Sequence, residues 1–376
     1  MSDYIKVFFL PLMFLSPLSQ SLTDLFSWNK EDANKKTLWQ IVKGVIISAP
    51  FLIIFIILFS SADLIFDKYL SNIIDFKINR EIVLRSLLIM AITLGFIGAY
   101  SYIFRFERKA KILKDAKDYN ISFIEGYIVL GSVNILFFIF IAIQLAYLFG
   151  GEVSIISQGF TYAQYARRGF FELIAVAIIS FLLLFGMDKF IPKKEEGYAS
   201  IFKILASALI LQVILIMISA HTRLTLYETA YGMTILRLYS HVFIVFLATI
   251  FFLMSYKIFR DRRENVFAFR VFAVAVLFLA FMNLFNPDAF IANRNIESFY
   301  ATGKLDIHYL ALLSDDALTA SMKVFELPDQ ELKNNFSEEL AKRAQEKKAP
   351  YFSRWQSLNI SRMKGAKVLG QFLSAQ

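Results

Sequence analysis

The chain has 376 residues, of which 57% are hydrophobic and 19% charged, with a formal net charge of +9 and no cysteine. A soluble domain runs about 45–50% apolar and about 25% charged, so this balance excludes a disordered protein and argues against a soluble enzyme. The missing thiols exclude disulfides and cysteine-ligated metals or clusters.

In chain order, residues 1–21 are apolar from Ile5 to Leu15 but interrupted by Pro11 and Pro17. They read as an interfacial segment or as the tail of a further span, without the basic start and small-residue cleavage site of a signal peptide. Seven stretches then reach the about 20 apolar residues that cross a bilayer: 43–62, 82–104, 127–149, 169–188, 200–220, 236–257 and 266–285. None alternates with the period of two that a β-barrel strand needs. The expectation is an all-α polytopic bundle over 43–285, preceded by an interfacial segment at 1–42 and followed by a small helical domain at 286–376.

Lysine and arginine set the orientation. They crowd the segment before the first span (Lys30, Lys35, Lys36, Lys43) and the second loop (Arg105, Arg108, Lys109, Lys111, Lys114, Lys117). The fourth loop (Lys189, Lys193, Lys194) and the sixth (Lys257, Arg260, Arg262, Arg263) follow the same side, while the intervening loops are poorer. The rich side is expected to be cytoplasmic, with the tail on the other side of the bacterial inner membrane. The positive charge is then loop bias rather than a nucleic-acid surface.

The tail carries helix punctuation. Asn286-Pro287-Asp288 reads as N-cap, first-turn proline and first-turn acid, with Gly303 as the stop. Ser314-Asp315-Asp316 and Leu327-Pro328-Asp329 start further helices, and Pro350 divides the latter from a last helix ending near Phe372.

Ionisable residues at membrane depth are expensive and mark function by default. Here they gather toward the extracytoplasmic ends: Asp63, Arg167, Arg168 and Glu172, then His221, Arg223, Glu228, Arg237 and His241, then Asp288. Arg223, Tyr227 and Tyr231 lie four apart and share a helix face, which presents a guanidinium and two phenols to a carboxylate or phosphate. The other reading of the same residues is anchoring of helix ends at the headgroups or internal ion pairing. Asn134, Gln144 and Gln212 inside spans are expected to be hydrogen-bond partners between helices. With three histidines and no zinc-binding spacing, no metal site is expected, and no phosphate loop, dinucleotide turn or nucleophile elbow points to a cofactor.

Several pieces resemble a family. They are Ser61-Ala62-Asp63, the run from Tyr162 through Arg167-Arg168-Gly169 to Phe170, Arg223 to Tyr227 with Tyr231-Gly232 and Arg237-Leu238, Asn286-Pro287-Asp288, Asn295, Leu305-Asp306 with Tyr309-Leu310, and Leu358 to Arg362. In this order they are similar to bacterial polytopic membrane proteins grouped as domain of unknown function 4173, related to the 4153 group. That resemblance implies a multi-pass protein, whose relatives tend to carry further spans upstream that this chain lacks, and it supplies no established activity.

Three classes of function stay open. One is a non-enzymatic envelope transporter or sensor, with Asp63, Arg168, Glu172, His221, Arg223, Tyr227, Glu228, Tyr231, Arg237 and Asp288 as an anion-binding cluster for an anionic lipid or small anion. Another is a membrane enzyme acting on a phosphate-bearing lipid or lipid-linked substrate, in which Asp63, Glu228 or His221 serves as base. A membrane anchor for a partner protein is the third possibility.

Overall fold

The computed structural model describes residues 33–73, 122–148, 169–191, 196–260, 264–346 and 360–375. Every regular element among the described residues is a helix: α1 Ala33–Ala62, α2 Leu64–Ile73, α3 Phe123–Leu148, α4 Phe170–Phe190, α5 Glu196–Tyr231, α6 Ile235–Arg260 and α7 Glu264–Leu284. The tail adds α8 Pro287–Thr302, α9 Ile307–Leu312, α10 Leu318–Ser321, α11 Gln330–Glu346 and α12 Ile360–Ala375, with short 3₁₀ turns around α10. By length and apolarity six segments among the described residues are able to cross a membrane: Thr37–Ala62, Phe123–Leu145, Phe170–Phe190, Ser200–Tyr231, Ile235–Arg260 and Asn265–Leu284. They answer to six of the seven expected spans, and 82–104 lies outside the described residues.

The chain packs as two units, one of residues 1–220 and 254–262, the other of 221–253 and 263–376. This is a division by packing, whereas the expected boundary after 285 is one by hydropathy.

In the first unit α1 and α3 lie parallel. Gly44 near the start of α1 meets Ile128 and Glu125 near the start of α3, where an added Cβ would come within 2.9 Å of the Ile128 side chain. Further along, Phe55 packs edge-on against Phe137 at 4.8 Å and Phe59 stacks on Phe140 at 3.9 Å. Lipid tails are as apolar as these side chains, so close approach and ring packing rather than a hydrophobic force hold the pair. Asn134 donates to the Leu205 carbonyl of α5 at 3.1 Å, and Gln212 donates back to the Asn134 carbonyl at 3.1 Å. Both residues therefore bridge helices as the sequence suggests.

The Ser61-Ala62-Asp63 and Gly169-Phe170 pieces meet here. Gly169 has φ +93°, and an added Cβ would strike the Ala62 backbone, so this position admits no side chain. Asp63 is fully buried and accepts from the amides of Ile65 and Phe66 at 2.9 and 3.0 Å, which caps α2.

At the far ends of α4 and α6 the structure adds what the loop count conceals. Lys257 Nζ lies 2.5 Å from Asp188 Oδ2, with both side chains no more than 3% exposed, and sits 4.9 Å from the centre of the Phe185 ring. Lys257 reads in sequence as one more base of a solvated loop. In the fold it is a buried ion-pair partner joining two spans.

In the second unit Asn286, Gly303 and Asp329 punctuate the tail as expected, Ser314 precedes a 3₁₀ turn without a side-chain cap, and Pro350 lies outside the described residues. The Asn286 side chain accepts from the Ala289 amide at 3.1 Å, Pro287 opens α8, and Gly303 closes it at φ +65°. Asp329 accepts from the Glu331 and Leu332 amides at 2.9 and 3.2 Å to start α11. One apolar core joins Ile291, Ile296, Leu310, Phe336, Leu340 and Phe372 of the tail to Met233 and Leu238 at the junction of α5 and α6.

Candidate functional site

The site grows from that junction. Helix α5 runs 32 residues from Ser200 to Tyr231 as a candidate span. At 1.5 Å per residue this is about 48 Å, well beyond the hydrocarbon thickness of about 30 Å. Its last turns, carrying His221 to Tyr231, therefore extend past a span of ordinary length.

Gly232 ends the helix at φ +77°, with the Gly232 amide donating to the Glu228 carbonyl at 2.7 Å. Arg237, at the start of α6, reaches back: its Nη1 donates to the carbonyl of Tyr231 at 3.1 Å and to that of Gly232. The guanidinium lies 4.2 Å from the centre of the Tyr227 ring, and Tyr227 packs on Tyr231 at 4.9 Å. A cation on the last carbonyls of a helix meets the negative end of its dipole. Arg237 and the two tyrosines thus build the corner, and the guanidinium meets carbonyls and a ring face instead of a carboxylate.

Helix α8 locks this corner from the tail. Asn295 Oδ1 accepts from the Met233 amide at 2.6 Å, and its Nδ2 donates to the Met233 carbonyl at 2.9 Å. One side chain satisfies both backbone groups of a residue buried between helix ends. The Tyr309 hydroxyl accepts from the Ile235 amide at 2.9 Å. Burial, with help from Asp288 and Asp306, holds that phenol above its ordinary pKa, against the opposing pull of the Ile235 amide and Arg237.

Beside the corner runs a chain of four ionisable side chains. His221 Nδ1 and His241 Nδ1 are 2.9 Å apart, His241 Nε2 lies 3.2 Å from Glu228 Oε2, and Arg294 Nε donates to Glu228 Oε1 at 3.4 Å. The Glu228 and His241 side chains are 11% and 14% exposed, whereas that of Arg294 is 55% exposed. The chain borders a pocket of about 430 Å³ whose wall also includes Thr225, Asn293 and Glu297.

Of the residues expected to cluster, His221, Arg223, Tyr227, Glu228, Tyr231, Arg237 and Asp288 belong to this unit. Arg223 is 2% exposed. Asp288 accepts from the Ser314 amide at 3.1 Å and so ties α8 to the turn before α10. Asp63 and Glu172 belong to the other unit, and Arg168, with Arg167, lies outside the described residues. Arg294 stands at the centre of the site although its spacing carries no signal, and Asn295, which only the family resemblance singled out, stands beside it, because the tail helix that bears them meets α5 and α6 through the fold. Among the described residues no group of three or more acidic, histidine or cysteine side chains is placed to hold a metal ion.

A family model described as Domain of unknown function (DUF4153) matches residues 3–323, most of the chain. The chain belongs to this family. The match is to the 4153 group and not to the 4173 group that the motif pieces resemble most. It covers the bundle, the α5–α6 corner and the first tail helices, including every residue of the pocket wall. No curated protein and no solved structure matches the chain. It is an integral membrane protein with several apolar helices in lipid, of a family whose activity is unknown.

Proposed function

We propose that the protein is a non-enzymatic sensor of the bacterial envelope, whose pocket beside the α5–α6 corner takes a small oxyanion, a carboxylate or a phosphate group. The observation that carries this reading is the composition of the wall: α5 contributes His221, Thr225 and Glu228, α6 contributes His241, and the tail helix α8 contributes Asn293 and Arg294. An occupant there touches two membrane helices and the tail at once. Arg294 is the exposed guanidinium, and charge-assisted bonds from it and the imidazoles suit an oxyanion.

Sensing is favoured over transport because the pocket sits where Met233 and Leu238 share an apolar core with the tail, so occupancy bears on the packing of the tail. A transporter would place its site on broken helices near the midplane, whereas α5 and α6 run as unbroken helices. The basic loops support a cytoplasmic N-terminus and an extracytoplasmic tail in the inner membrane. Tyr227, Tyr231, Arg237 and Asp288 take the part of a frame in this proposal, with His221, His241, Glu228 and Arg294 at the ligand.

Thermal unfolding of the purified protein tests it. Inorganic phosphate, and separately phosphatidic acid in mixed micelles, should raise the apparent Tm in proportion to the logarithm of concentration above Kd. The free ion stabilises if the source is soluble, the lipid alone if it is a headgroup. Arg294→Gln should show a smaller shift while keeping its unliganded Tm. Equal shifts in both proteins, or none with either probe, would overturn the proposal.

A further inference from the structure

The pocket wall holds more acid than an anion site would choose. Glu228 and Glu297 stand against Arg294, and Lys323 lies alongside, its Nζ donating to Asn293 Oδ1 at 2.8 Å. With both imidazoles neutral, the two carboxylates and the two cations cancel. An oxyanion entering this wall gains no net charge attraction unless the histidines supply it.

The hydrogen bonds fix how they supply it. His241 Nε2 faces a carboxylate, so in the neutral ring that nitrogen carries the proton and Nδ1 is left with its lone pair. The 2.9 Å contact then requires His221 to donate through its own Nδ1. All the bonds point one way, from His221 through His241 to Glu228, and the free basic site of the relay is His221 Nε2. One added proton is accommodated there, or by His241 carrying both of its protons while donating to His221. A second would set two N–H groups against each other across 2.9 Å.

We infer that the pocket takes its oxyanion together with one proton, held on the His221–His241 pair. This rests on the oxyanion reading of the same pocket and adds its coupling to pH. The groups facing the pair are Glu228 from α5 and Arg294 and Glu297 from α8, with Lys323 behind Asn293. The proton comes from bulk water. By linkage the anion then binds more weakly as the medium becomes alkaline, and anion binding in turn draws in a proton.

Sulfate is the suitable probe, because it does not itself titrate near neutrality. Calorimetric titration of the full chain in detergent at pH 8, above the ordinary histidine range near about 6.5, in Tris and in HEPES gives the proton count from the difference in observed heats. About one proton should be taken up per sulfate bound, and affinity should fall about tenfold per pH unit from pH 8 to 9. His221→Asn with His241→Asn should abolish the uptake and leave weak, pH-independent binding. Arg294→Gln should weaken binding and keep the proton count. Sulfate binding without proton uptake, or uptake that persists in the double variant, would overturn the coupling and leave the oxyanion site standing. No sulfate binding at pH 5.5 or at pH 8 would overturn both. The wild-type count decides alone should the double variant not fold.

Discussion

At the scale of single residues, Asn295 and Gly232 are the positions on which the corner depends. Asn295 is nearly buried and serves both backbone groups of Met233, so Asn295→Leu leaves a donor and an acceptor without partners. Each buried group left unsatisfied costs about 1–3 kcal/mol. The apparent Tm should therefore fall well below that of Asn293→Leu, one helix position pair away and only half-buried. Gly232→Ala faces a left-handed backbone, which costs an L-residue roughly 1–2 kcal/mol, with Asn295 Oδ1 3.2 Å from the new Cβ. Tyr309 gives a pH signature. Its phenol is held above the ordinary value by burial, so the folded state keeps the proton more tightly than the unfolded chain. The stabilisation is present in full below about pH 10 and is lost as pH rises through the raised folded value. Tyr309→Phe should flatten that alkaline arm of the Tm profile and lower the neutral-pH Tm modestly, through the lost acceptor for the Ile235 amide. An unchanged alkaline arm would show that the phenol is not the titrating group.

At the scale of elements, hydropathy made the spans legible, because apolar runs of bilayer length have few alternatives. The caps of the tail were legible for a related reason: Asn286-Pro287 and Gly303 act locally, on amides and carbonyls within a turn. Asp63 and Arg237 are harder, since a charge at a helix end looks the same in sequence whether it faces a ligand or caps the helix. Only the fold shows Asp63 on the amides of α2 and Arg237 on the carbonyls of α5. Lys257 was concealed by the loop count, which weighs every lysine alike and has no view of Asp188, 69 positions away. Removing one partner of a buried pair leaves an uncompensated charge and costs about 3–5 kcal/mol. Lys257→Met should thus destabilise the protein strongly in an SDS-titration assay, and Lys257→Met with Asp188→Leu should recover much of the loss. A double variant as unstable as the single one would mean that the two side chains act independently.

At the scale of the whole molecule, parity ties the site to the membrane. Met233 lies between the spans of α5 and α6, and Asn295 lies beyond α7. Two crossings, by α6 and α7, return the chain to the same side, as the hydrogen bonds between those residues demand. Five candidate spans among the described residues, α3 to α7, follow the basic run at 105–117, and if all five cross, that run and the tail are expected on opposite faces. The parallel packing of α1 on α3 makes a further demand: the end of α1 and the start of α3 then face opposite sides. Because the chain has no cysteine, single replacements report each side without background. Asn335→Cys on the exposed face of α11 and Tyr69→Cys on that of α2 should react with an impermeant maleimide in intact cells, and Ala110→Cys only after the membrane is opened. Protection of Tyr69→Cys with labelling of Asn335→Cys would break the parallel pair as two spans. Labelling of Ala110→Cys alone would invert the orientation and place the oxyanion pocket in the cytoplasm, where an envelope sensor has no use for it.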